Sequence, residues 1–218
     1  MPKTLKIDFV SDVACPWCAV GLASLEKALA NLEGEVRAEL HFQPFELNPQ
    51  MGPEGQDVFE HLAGKYGSTA EQQALNYENI RRRGADVGFE FRERGRGRVW
   101  NTFDAHRLLH WAGTQSPAAQ LALKKALLGK YFTEGKGLAK HDVLLEAVKV
   151  AGLDEFGARD ILSGDTYAAE VRQQEEVFTK AGIHAVPSVI VNDQHLIQGG
   201  QPTELFERAL RQIADEAA

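Results

Sequence analysis

Cys15 and Cys18 are the only cysteines in the 218-residue sequence, and they frame a single Cys-Pro-Trp-Cys stretch. Two thiols at this spacing on the first turn of a helix can close a disulfide without moving the backbone, so the pair can take up and release two electrons. The attacking species in disulfide exchange is a thiolate. Cys15 falls at or just before a helix start, where unpaired N–H groups and the helix dipole favour negative charge. It is the expected nucleophile. Cys18, one turn in, is expected to be more buried and to resolve a mixed disulfide. Trp17 offers a large apolar surface suited to covering the pair and meeting a polypeptide. Two other readings exist for such a pair: inert buried thiols, or half of a zinc site. Zinc usually takes four ligands from two such pairs, and no second cysteine pair exists. No metal is expected at this site.

The pair needs a strand and a helix to hold it, and the flanking pattern supplies both. Residues 5–13 read as a strand, with Ile7, Phe9 and Val13 apolar. Pro16 suits the first helical position, where its missing N–H costs nothing. Val20, Leu22, Leu25, Leu29 and Leu32 recur at helical spacing up to Gly34. Residues 36–45 alternate as a second strand. Helices are predicted over 57–66, 70–83, 102–112, 117–132, 142–151, 154–162 and 168–181. Residues 187–192 and 195–198 read as strands joined by a tight turn at Asn192-Asp193-Gln194, and an amphipathic helix begins near Pro202. The order βαβ, helical block, ββα predicts an α/β thioredoxin-like fold with a large inserted all-helical subdomain. Residues 1–49 and 182–218 would form the thioredoxin-like domain, and 50–181 the insertion. Each β-containing part is too small to fold well alone, so the two must pair across the insertion.

Further residues could serve the thiols. A proline opening a strand in Val186-Pro187-Ser188 can hold a cis peptide bond, which would leave the Val186 backbone free to pair with an extended substrate; an ordinary trans proline on an edge strand is the alternative. Asp12, three residues before Cys15, is either a proton-transfer group or a turn-forming carboxylate. His106 and His110, at i and i+4, could hold a metal or could split between core and solvent. Seven arginines stand against three acids in residues 81–98, either as a solvated loop or as a mobile loop that meets an anionic substrate. Gly199-Gly200-Gln201-Pro202 could bind a carboxylate through backbone N–H groups, or could be a plain loop-to-helix junction.

The composition is that of an ordinary globular chain, 44% hydrophobic and 25% charged. No apolar run is long enough to span a bilayer. The formal net charge of −7 argues against nucleic acid as a main partner. Asp8 and Asp12 interrupt the only candidate for a secretory signal, so a cytoplasmic location is expected. A reducing cytosol disfavours structural disulfides, so the thiol pair calls for a metal or a catalytic explanation.

As a set, four blocks of the sequence carry a family resemblance. Residues 7–18, Gln43-Pro44-Phe45-Glu46-Leu47-Asn48-Pro49, residues 101–108 and Gly182-Ile183-His184-Ala185-Val186-Pro187-Ser188 resemble the DsbA-like thioredoxin-fold proteins of the FrnE type. The resemblance spans nearly the whole chain. It implies dithiol–disulfide exchange on protein substrates by Cys15 and Cys18, a cis Val186–Pro187 bond, and substrate contacts from Pro16, Trp17, Val186 and Pro187. It implies no cofactor beyond the Cys15–Cys18 disulfide itself, with glutathione or a thioredoxin-type reductant as a partner, and a monomer or homodimer. The same superfamily holds 2-hydroxychromene-2-carboxylate isomerases and kappa-class glutathione transferases, which typically have serine at the position of Cys15 and use glutathione. A glutathione-dependent isomerase or transferase acting on a small aromatic compound is therefore the alternative. In that case glutathione would lie along Val186, with its γ-glutamyl end near Gly200 and Gln201. Strongly oxidising relatives carry Pro-His between the cysteines. Trp17 offers no comparable positive charge, so a less depressed Cys15 pKa and a less oxidising couple are expected.

Overall fold

The structure is a computed structural model and describes residues 2–216. Its main sheet has four strands in the order β2-β1-β5-β6. β1 (Lys3–Ser11) is central and becomes fully buried towards its end. It runs parallel to β2 (Val36–Pro44) and antiparallel to β5 (Ser188–Val191), and β5 pairs with β6 (His195–Gln198). Two parallel neighbours need a crossover, and α1 (Pro16–Asn31) provides it. The two ends of the chain thus meet in one sheet, as the small size of each part requires. The tight turn between β5 and β6 places Asn192 and Asp193 at φ 52° and 59°, the left-handed pair of a type I′ turn, closed by Gln194 N donating to Val191 O at 3.1 Å.

β1 stops two residues before the expected end. The Asp12 carboxylate accepts a hydrogen bond from Ala14 N at 3.0 Å, which turns the chain out of the ladder and aims Cys15 at the helix start. α9 (Thr203–Glu216) packs on α1 through Phe206, Leu210 and Ile213.

Between β2 and β5 lie α2 (Val58–Tyr66), α3 (Ala70–Asp86), α4 (Phe103–Gln115), α5 (Pro117–Leu128), α6 (His141–Val150), α7 (Glu155–Ser163) and α8 (Ala168–Lys180). Their starts follow local chemistry. Asp57 caps α2, Thr69 and Gln72 form a capping box on α3, Ser116 caps α5 and Asp154 caps α7. Two features depart from the helical reading. β3 (Gln56–Asp57) and β4 (Arg98–Val99) form a two-residue antiparallel ladder, too short to show alternation in sequence. The predicted helix over 117–132 changes at Gly129 into a π-helical turn, Gly129–Thr133, which buries Tyr131 and Phe132.

The outer edge of β2 needs cover, since an open strand edge exposes unpaired backbone. Gln120 of α5 supplies it: Oε1 accepts from Phe42 N at 2.9 Å and Nε2 donates to Phe42 O at 3.1 Å. The same contact fixes α5 over the sheet, and Lys124, one turn further on, is fully buried with Nζ 5.7 Å from the Phe42 ring centroid.

Candidate functional site: a dithiol under an apolar cavity

Cys15 is the N-cap of α1 with an extended backbone, and Pro16 occupies the first helical position. Cys18 N donates to Cys15 O at 3.0 Å, closing the turn. Both thiols are free and buried, Cys18 completely and Cys15 nearly so. The Cys18 thiol hydrogen-bonds Cys15 and draws the Cys15 pKa below the usual thiol value. Burial opposes this, and backbone N–H groups of Cys18 and Trp17 assist it. Burial pushes Cys18 well above the usual value, and hydrogen bonding to Cys15 adds to the rise. The environments therefore separate one acidic thiol from one reluctant thiol.

The Val186–Pro187 peptide is cis. Cys15 Sγ donates to Val186 O at 3.6 Å. Two glycines allow close approach to α1, Gly21 for this loop and Gly200 for the loop after β6. A Cβ on Gly21 would meet Pro187 Cγ at 3.1 Å, and one on Gly200 would meet Trp17 O at 2.9 Å. Gly200 is thus packed against the dithiol turn, and its carbonyl accepts from Arg83 Nη2 at 3.3 Å. Neither Gly200 nor Gln201 is among the residues lining the cavity above Cys15.

That cavity has a volume of ≈ 740 Å³, within the range of small-molecule and cofactor sites. Cys15, Pro16, Trp17 and Val186 form its floor, while Leu62, Tyr77, Ile80 and Phe132 make apolar walls. Of the four predicted contact residues, Pro16, Trp17 and Val186 line this cavity, whereas Pro187 is buried beside Val186 and is not among its lining residues.

Arg81, Arg82 and Arg83 lie on α3, and three of the four arginines beyond it, Arg92, Arg96 and Arg98, are hydrogen-bonded to backbone carbonyls. Arg81 pairs with Glu78, Arg92 Nη1 donates to Glu134 O, and Arg98 donates to Glu54 O and Gly55 O. Arg96 Nη1 donates to Ala14 O at 2.6 Å, beside Cys15. Arg96 thereby ties the segment to the dithiol turn. Arg94 is exposed at the cavity rim and makes no hydrogen bond or ion pair among the described residues.

Behind the thiols the core holds charge. Burial alone would push Asp12 up; His106 and the N–H groups of Ala14 and Leu47 outweigh it and hold the carboxyl below the usual range. Leu47 N donates to Asp12 Oδ2 at 2.7 Å. Asp12 thus joins β1 to the loop after β2. His106 Nε2 lies 3.5 Å from Asp12 Oδ1 without closing a hydrogen bond. His110 is half-buried, with Nδ1 3.3 Å from Gln174 Oε1. The two histidines thus divide between core and periphery. Among the described residues, no group of three or more His, Cys, Asp or Glu side chains could hold a metal ion.

A central thiol pair at a helix N-terminus, a four-stranded sheet built from both chain ends, and a cis-proline loop against the nucleophile together define the thioredoxin-fold class. Comparison with known proteins agrees. The family model for the DSBA-like thioredoxin domain matches residues 6–211, and the chain belongs to that family. A structure described as a probable DsbA oxidoreductase from Streptomyces coelicolor is 33% identical, with a TM-score of 0.86, covering 95% of this chain and 89% of that one. A 2-hydroxychromene-2-carboxylate isomerase is 15% identical with a TM-score of 0.67, covering 98% of this chain and all of that one (100%). The cytosolic disulfide reductase DsbM from Pseudomonas aeruginosa, solved with GSH, is 18% identical with a TM-score of 0.63, covering 95% and 98%. At these identities the last two share the fold alone.

Proposed function

We propose that this chain is a thiol–disulfide oxidoreductase or isomerase acting on protein disulfides. Cys15 attacks and Cys18 resolves; in the oxidised form the Cys15–Cys18 disulfide accepts a substrate thiol. The observation that carries this reading is the unequal thiol pair: Cys15 is acidified at the cavity floor against Val186, and Cys18 is held protonated beneath it. Pro16, Trp17, Val186 and Pro187 orient the substrate backbone. No described helix is long and apolar enough to cross a membrane, and we place the activity in the cytoplasm, supplied with electrons by glutathione or a thioredoxin-type reductant. Trp17 brings no positive charge to the thiolate, so the couple lies well below the ~−120 mV of the strongest oxidants of this type. Insulin reduction should be lost in Cys15→Ser; retained turnover would overturn the assignment.

The cavity favours a second reading, a glutathione-dependent isomerase or transferase acting on a small aromatic compound. Its walls are mostly apolar and its size suits a small molecule. Glutathione would then lie along Val186, with Arg94 closer to its carboxylates than Gly200 or Gln201. Saturable binding of glutathione and full activity of Cys15→Ser on such a compound would favour this reading over protein disulfide exchange.

A further inference from the structure

The cavity above Cys15 has mostly apolar walls, yet two guanidinium groups stand on it. Arg94 and Arg96 line it together with Cys15 and Val186. Gly95 between them sits at φ 68°, a conformation that glycine adopts at no steric cost. Its N–H closes the turn on Arg92 O at 3.3 Å. The segment is held on both sides: Tyr77 Oη donates to Arg92 O at 2.5 Å, and Val58 N donates to Gly97 O at 3.0 Å. Arg96 reaches the residue before the nucleophile, donating from Nη1 to Ala14 O at 2.6 Å. A guanidinium carries several N–H donors in a planar fork, and that bond to Ala14 uses one of them. Arg94, exposed at the rim, commits none among the described residues. Glu93 is the one acidic residue lining the cavity. Its side chain is 88% exposed and lies 4.0 Å from Arg81 Nη2, so it faces a cation of its own. On a chain with a formal net charge of −7, two cations on one cavity wall make a local positive field that attracts an anion.

We propose that Arg94 and Arg96 bind a carboxylate of the substrate, so that the chain prefers protein disulfides with Asp or Glu beside the half-cystine that Cys15 attacks. The proposal rests on the dithiol reading above. An extended polypeptide paired with the Val186 backbone sets its half-cystine over Cys15 and a neighbouring side chain over the arginines. The guanidinium fork matches a carboxylate with two parallel hydrogen bonds. Apolar side chains of the same segment meet Leu62, Ile80 and Phe132, and the cavity opens past Tyr66, which is 64% exposed, leaving room for the chain to continue outward.

The arginines take no part in making or breaking bonds. The Cys15 thiolate attacks the substrate sulfur beside the carboxylate, and the other substrate sulfur leaves as a thiolate. Cys18, its proton released to solvent, then attacks Cys15 Sγ and frees the second substrate sulfur. The dithiol loses two electrons and the substrate disulfide gains them. Arg94 and Arg96 hold the acidic side chain through both exchanges and so decide which disulfides are attacked.

The test uses reduced protein and short single-cysteine peptides, each activated as a mixed disulfide with thiopyridine and identical except for Glu, Gln or Lys beside the cysteine. Attack on the peptide sulfur releases pyridinethione, read by its absorbance. Each second-order rate constant is divided by that of the same peptide with mercaptoethanol, which removes differences in intrinsic reactivity. At low salt the corrected rate for the Glu peptide should exceed that for Gln by about 10-fold, the worth of a charged hydrogen bond, with Lys slowest. Added salt should reduce the preference. Arg94→Gln and Arg96→Gln should each lower it several-fold; Arg94→Gln removes no recorded contact and serves if the Arg96 variant disturbs the dithiol turn. Equal corrected rates for Glu and Gln peptides, or an undiminished Glu preference in folded Arg94→Gln, would overturn the proposal. Glutathione activated in the same way and reacting faster than the Glu peptide would assign the arginines to a small thiol and overturn the polypeptide preference. Undiminished rates with every peptide in Cys15→Ser would overturn the dithiol reading itself, and the role of the arginines with it.

Discussion

Iodoacetamide added to the reduced protein near neutral pH should label Cys15 and leave Cys18 intact. Hydrogen bonding from the Cys18 thiol lowers the Cys15 pKa, whereas burial raises that of Cys18. Labelling of Cys15 should climb with pH and level off once its lowered pKa is passed, before Cys18 reacts; mass spectrometry showing equal labelling of both would contradict the assignment. Asp12 makes a second prediction at this scale. Its folded-state pKa is lowered, so its contribution to stability is complete above the unfolded value of about 4 and is lost as pH falls through the folded value. Asp12→Asn should cost about 2 kcal/mol near neutral pH, because a buried carboxylate accepting two backbone N–H groups is removed. Urea unfolding should also show a shallower acid limb. Equal loss at every pH would mean that the carboxylate's charge is not what matters.

At the scale of elements, α5 covers the free edge of β2. Gln120→Leu leaves Phe42 N and O without their partners and should destabilise the protein by about 2 kcal/mol, measured as a shifted urea midpoint. Strand and helix positions were largely legible in the sequence because caps, prolines and apolar spacing are local signals: Asp57, Ser116 and Pro16 mark starts where the structure has them. The end of β1 was not, since Asp12 turns the chain through a contact that depends on the folded loop after β2. Cys15, Trp17 and Val186 were legible as a converging set once the family blocks were recognised. Arg96 was not. It looked like one cation among seven; only the closed loop shows that it binds Ala14 O.

At the scale of the molecule, the helical block is part of the site rather than an appendage. It covers the β2 edge and walls the cavity above Cys15. A chain joining residues 1–49 directly to 182–218 should therefore lack cooperative unfolding by circular dichroism, because the remaining core is small and the β2 edge is bare; a sharp transition would show that the sheet stands alone. The account as a whole depends on one asymmetry, an attacking role for Cys15 at the cavity floor and a resolving role for Cys18 beneath it. Trapping measures it directly. Incubate Cys18→Ala and Cys15→Ala with a disulfide-bonded protein, quench with acid, and map adducts by mass spectrometry. The account predicts stable mixed disulfides on Cys15 in Cys18→Ala and almost none on Cys18 in Cys15→Ala. Adducts of equal yield on either cysteine, or none on Cys15, would contradict it.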